Sequence, residues 1–149
     1  SPDAITATES GAELLPLDEL LARSDFVSCH TPLTKNTRHF FGYERFTRMK
    51  PTAFFLNLSR GEVVDEAGLI AALREKRIAG AALDVRETEP PPRTDLAEME
   101  NVILTPHIAA FTREAQERVV TAVCNDVAAV LENRAAKNFA NFASPRRAG

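Results

Sequence analysis

The sequence predicts an α/β domain: a parallel β-sheet with helices packed on both faces. Three observations carry that prediction. Short apolar runs alternate with segments of helical period along most of the chain. The runs are apolar throughout rather than at every second position, which suits strands covered on both sides. The length of 149 residues, with 44% hydrophobic and 26% charged residues, fits one ordinary globular domain with a real core.

The elements follow in order. "DELLARSD" from Asp18 reads as a short helix with an aspartate cap and leucines on one face. "FVSCH" (Phe26 to His30) is a buried strand closed by the turn "TPLT". "YERFTRMK" (Tyr43 to Lys50) has helical spacing, with Phe46 and Met49 three apart and Pro51 at its exit. "AFFLNL" (Ala53 to Leu58) is the second strand, and Asp65 caps the helix "EAGLIAALREKR", where Leu69, Ile70 and Leu73 form one stripe. "AGAALDV" (Ala79 to Val85) is a third strand, small-residued enough to let helices approach closely. After the proline-rich loop "ETEPPPRTD", "NVILTPH" (Asn101 to His107) is the fourth. The last helix runs from about Thr112 to Asn133, with Ala115, Val119, Val123, Val127 and Val130 near helical period, before the irregular tail "NFANFASPRRAG". There is no internal repeat, and the only low-complexity segment is Pro90-Pro91-Pro92.

Composition excludes several classes of function. The formal net charge is −3, and no basic stripe interleaved with aromatics is present, so a nucleic-acid partner is not expected. No apolar run approaches the length of a bilayer span, so no membrane partner is expected either. Cys29 and Cys124 lack CxxC spacing and read as buried thiols in a reducing compartment. His30, His39 and His107 lack the spacing that zinc asks for, so no metal site is expected.

In open parallel sheets, ligands bind just beyond the carboxyl ends of the strands. Arg60 lies there after the second strand, Asp84 and Glu89 end and follow the third, and His107 follows the fourth. Singly, each has an ordinary explanation: a solvated arginine, a structural histidine, an exposed carboxylate. Together they supply a planar fork for a carboxylate, a titrating imidazole and an acid able to pair with it.

"CHTPLTKNTRHFFG", "NLSRGEVVDEAGL", "GAALDVRETEP" and "ILTPHIAAFTREA" occur in that order, and from about Leu14 to Asn133 the chain resembles the NAD-dependent D-2-hydroxyacid dehydrogenases. That family includes D-3-phosphoglycerate dehydrogenase and the hydroxypyruvate/glyoxylate reductases. The resemblance implies an incomplete Rossmann-like, doubly wound parallel sheet with a long C-terminal helix. It implies hydride transfer between NAD(H) and a small D-2-hydroxy acid or 2-keto acid. Arg60 would bind the substrate carboxylate, His107 would be the general acid/base, and Glu89 would pair with it. Thr31, Leu58, Ser59, Asp84, His107, Ile108, Ala109 and Ala110 would touch the cofactor, Asp84 at the nicotinamide end. His30 would be structural, and Asp65 matches a family motif that its capping role already explains.

The same resemblance implies a cytoplasmic homodimer. Residues 1–110 would be a partial NAD-binding domain, and residues 111–149 an inter-domain helix and tail belonging with the substrate domain. The six glycines (Gly11, Gly42, Gly61, Gly68, Gly80, Gly149) make no G-x-G-x-x-G. The chain therefore reads as the C-terminal part of a dehydrogenase, inactive or very weak alone. NAD is the expected cofactor by family habit, with NADP left open because the residue that decides between them is not among these. Two departures bear on the subfamily: Arg86 stands where an aromatic is frequent, and Ala109-Ala110 where glycines are. Dinucleotide-sensing corepressors share the fold and the triad and form the rival reading. The formate dehydrogenases use a His-Gln pair, and Glu89 argues against them.

Overall fold

The computed structural model describes residues 9–139. Helix α1 (Leu17–Arg23) leads into strand β1 (Phe26–Cys29), and helix α2 (Tyr43–Phe46) into β2 (Phe54–Asn57). A 3-10 turn (Gly61–Val63) and helix α3 (Glu66–Arg74) precede β3 (Gly80–Leu83). A second 3-10 turn (Asp95–Glu98) precedes β4 (Val102–Leu104), and helix α4 (Arg113–Leu131) closes the chain. The chain divides after His107 into two compact units, the first holding the sheet and the second α4.

All four strands are parallel and lie in the order β1-β2-β3-β4. The register aligns Cys29, Asn57, Leu83 and Leu104 across the sheet, so the carboxyl ends of all four strands share one edge. Val27, Phe55, Ala81 and Leu83 point to one face, where Leu21, Phe41, Phe46, Leu69 and Ile78 complete a fully packed core. Phe41, Phe46 and Phe55 form its centre, with ring centroids 4.8 to 6.2 Å apart.

On the other face of the sheet Phe26, Phe54 and Ile103 are 69%, 42% and 67% exposed, so among the described residues that face is more open than the reading of strands buried on both sides. An uncovered apolar face and a covered one look alike in sequence, because both remove the polar alternation.

Element ends also shift, each for a local reason. Asp18 lies in the first turn of α1 rather than at its cap, which is Pro16. The segment after Phe46 leaves the helix in turns, so α2 is a single turn rather than running to Lys50. Strands read as five to seven residues have three or four, since the flanking residues form the connecting loops. Asp65 and Thr112 do cap their helices: their side chains accept from the Ala67 and Ala115 amides at 3.1 Å.

Helices α3 and α4 stop in the same way. Lys76 and Asn133 take φ of 56°, and the Arg77 and Arg134 amides reach back to Ala72 and Ala129 carbonyls at 2.8 and 2.7 Å. Beyond α4, Asp126 accepts from the Lys137 and Asn138 amides, which ties the following segment to the helix. Val119, Val123 and Val127 form an exposed stripe along α4. Cys29 is buried as read, but Cys124 is exposed on α4, and both are free thiols. Among the described residues no helix is long and apolar enough to cross a membrane. Most of the irregular tail lies outside the described residues.

Candidate active site

Asn57 ends β2 and is 1% exposed, an amide with no water to satisfy it. Its Nδ2 donates to the Arg60 carbonyl at 3.0 Å, and its Oδ1 accepts from the Ser59 amide and hydroxyl at 3.1 and 3.0 Å. These bonds fold the chain sharply beyond the strand and present Arg60 at the sheet edge. The Arg60 side chain is exposed and bonds only its neighbour's carbonyl, at 2.7 Å to Ser59. Among the described residues no carboxylate lies within ion-pair distance of it. A guanidinium left without a carboxylate can receive one from a ligand.

Gly61 brings this turn against the loop after β3. A Cβ there would lie 1.8 Å from the Arg86 carbonyl oxygen, so only glycine allows the approach. Beyond β3, the Asp84 amide donates to Asn57 O at 3.0 Å, and the His107 amide donates to Asp84 O at 2.8 Å. The Asp84 side chain is buried and accepts from Thr105 Oγ1 at 2.5 Å. Three strand ends are thereby stitched together past the last ladder bond.

His107 sits in this frame with φ of 56°, a left-handed backbone that costs a non-glycine residue on the order of 1 kcal/mol. Its Nδ1 lies 2.8 Å from Glu89 Oε2, and Glu89 Oε1 accepts from the Arg86 amide at 3.0 Å. The imidazole beside it and then the Arg86 amide hold the Glu89 carboxyl below its ordinary value. With Nδ1 facing a carboxylate, Nε2 is the nitrogen left to exchange a proton. Arg60, Gly61, Glu62, Glu87, Glu89 and His107 line one recess of about 240 Å³. The guanidinium, the imidazole and the carboxylate that sequence placed at one edge are thus brought together.

Of the remaining expected residues, Thr31, Leu58 and Ser59 follow β1 and β2 at that edge. Thr31 and Ser59 are half-buried after β1 and β2, and Ser59 Oγ lies 3.5 Å from Cys29 Sγ. Leu58 is exposed. Ile108, Ala109 and Ala110 are exposed and belong to the second unit. His30 is exposed, with its Nε2 2.8 Å from Ser28 Oγ.

Four residues around the site were not read as site residues from sequence. His39 Nε2 lies 2.6 Å from Glu87 Oε1 at the rim of the recess. Glu66, in the first turn of α3, takes Arg86 Nε and Nη2 in a fork at 2.8 Å each. Burial pushes the Glu66 carboxyl up, but the Arg86 hydrogen bond and the Glu87 amide outweigh it and leave the value low. The pairs are 48 and 20 residues apart in the chain, so no local pattern announces them.

A polar crevice at the carboxyl edge of a parallel sheet is where open α/β domains bind their ligands, dinucleotides among them. Buried Asp84, half-buried Ser59 and Thr31, and His107 are polar groups at that edge of the kind a nicotinamide amide could bond. The chain carries no glycine-rich turn to cradle a diphosphate.

The family model for the NAD-binding domain of the D-isomer specific 2-hydroxyacid dehydrogenases matches residues 1–109. The chain belongs to that family, and NAD(H) is the cofactor of that domain. A glyoxylate reductase of Korarchaeum cryptofilum is 46% identical over 134 residues, covering 89% of this chain and 40% of that protein. The holo form of Rhodotorula graminis D-mandelate dehydrogenase superposes with a TM-score of 0.84 at 34% identity, over 98% of this chain and 43% of that one. The D-lactate dehydrogenase of Lactobacillus jensenii, solved with NAD+, gives 0.84 at 32% identity, over 95% and 46%. The chain therefore spans less than half the length of each of these proteins.

Proposed function

We propose that this chain supplies the proton-transfer and carboxylate-binding half of an NAD(H)-dependent D-2-hydroxyacid dehydrogenase acting on a small 2-keto acid such as glyoxylate. The observation that carries the proposal is the 2.8 Å contact between His107 Nδ1 and Glu89 Oε2 in the recess that Arg60 also lines.

Bound NAD(H) supplies the hydride chemistry. Arg60 receives the substrate carboxylate in a planar two-point grip and so orients the adjacent carbonyl. His107 gives a proton from Nε2 to the carbonyl oxygen during reduction and takes one from the hydroxyl in reverse. Glu89 stabilises the imidazolium and fixes the ring so that Nε2 faces the substrate. Thr31, Leu58, Ser59 and Asp84, with Ile108, Ala109 and Ala110, are assigned to cofactor contact, and residues 111–149 to the substrate domain. A homodimer in a reducing, cytoplasmic compartment completes the reading, which the two free thiols support.

The test is His107→Asn in the full-length protein, followed by NADH consumption with glyoxylate. Turnover should fall by about 10²–10⁴, the usual cost of a lost acid/base. Unaltered kinetics would remove His107 from the reaction.

A further inference from the structure

The least exposed ion pair among the described residues joins Arg86 and Glu66, whose side chains are 7% and 14% exposed. Both Glu66 oxygens are committed inside the protein. Oε1 accepts from Arg86 Nε and from the Glu87 amide, each at 2.8 Å, and Oε2 accepts from Arg86 Nη2 at 2.8 Å. The same Nη2 donates to Thr94 Oγ1 at 2.8 Å. The peptide between residues 86 and 87 is therefore pinned from its side chain and from its following amide at once. That peptide's other neighbour is the Arg86 amide, which holds Glu89 Oε1 and leaves Oε2 for His107.

We propose that Glu66 and Arg86 are positioning residues for the acid–base pair: their fork fixes the 86–87 backbone, and the Arg86 amide then holds one Glu89 oxygen so that the carboxylate turns its other oxygen to His107. The inference rests on the reading of Glu89 and His107 given above and extends it to two residues that take no part in the proton transfer. A buried ion pair is a poor source of net stability, because removing two charges from water costs about what their attraction returns. Orientation is the better account of this one. The charge of Asp84 opposes the effect of the imidazole on the Glu89 carboxyl, as the weakest of the influences on it.

The test is an NMR titration of the 149-residue chain. In the wild type, the Arg86 amide shift should follow ionisation of Glu89, and the Glu87 amide shift that of Glu66. The double variant Glu66→Gln/Arg86→Met removes both charges without stranding either, so it should keep a folded spectrum. In it, Glu89 should titrate nearer the ordinary carboxyl value and the His107 ring nitrogens should show mixed tautomers. Arg86→Lys, which keeps the charge and loses the fork, should move both readouts the same way. In the full-length protein the double variant should lose up to about 10²-fold in turnover, as misplaced catalytic groups do, with the KM for glyoxylate little changed. A folded double variant with a wild-type Glu89 titration and a wild-type His107 tautomer would overturn the proposal. So would a wild-type Arg86 amide that ignores Glu89, a measurement that needs no variant to fold. Unchanged turnover in His107→Asn would instead strike the catalytic reading and leave the titrations standing.

Discussion

Arg60 and His107 ask different things of the same recess, and substitution separates them. A lysine at position 60 would keep the charge but not the planar fork, so one of two parallel hydrogen bonds to a carboxylate is lost. Arg60→Lys in the full-length protein should therefore lower turnover and substrate affinity together. NADH binding, followed by fluorescence, should stay close to wild type; its collapse would reassign Arg60 to the cofactor. Both positions were legible in sequence because each lies within three residues of the end of an apolar strand, where a parallel sheet exposes its ligand edge. Glu89 was legible through the motif around it. His39–Glu87 and Glu66–Arg86 were not, because those contacts exist only once a helix and two loops have packed. Arg86 did stand out as unusual, but nothing in the sequence shows that its guanidinium turns inward.

Among the elements, the helix starts were easier to read than the helix ends. Asp65 and Thr112 carry short oxygen-bearing side chains, whose capping bond is local and can be read from spacing alone. The ends of α3 and α4 lack the glycine that would mark them, since Lys76 and Asn133 occupy the left-handed position. The sequence reading therefore runs to Arg77 and Asn133, past the true ends at Arg74 and Leu131. This has a measurable consequence at position 76, where the side chain is exposed. Lys76→Gly removes the left-handed penalty and should stabilise the chain by up to about 1 kcal/mol, read as a rise in the urea midpoint. A lower midpoint would show that the lysine side chain contributes more than its backbone costs.

For the molecule as a whole, the parallel order and the shared carboxyl edge were predictable, but the covering of the sheet was not. Phe26 and Phe54 stack at 5.7 Å on the open face, near Ile103 across the strands. Such residues make a strand look buried whether or not anything lies above it. Because they are already largely solvated here, replacing them should cost the chain little. Phe26→Gln and Ile103→Gln should each leave the unfolding free energy within about 0.5 kcal/mol while reducing binding of a hydrophobic dye. A large loss of stability would mean that this face is covered in solution.

Gly61 has a consequence larger than its size. Its bare Cα rests against the carbonyl that begins the segment leading to Glu89, so the turn that carries Arg60 and the loop that carries Glu89 share one seat. Lengthening either segment would therefore drag the other along with it. Room for a new side group has to be carved from the outer rim, where His39 meets Glu87, and not from the joint itself.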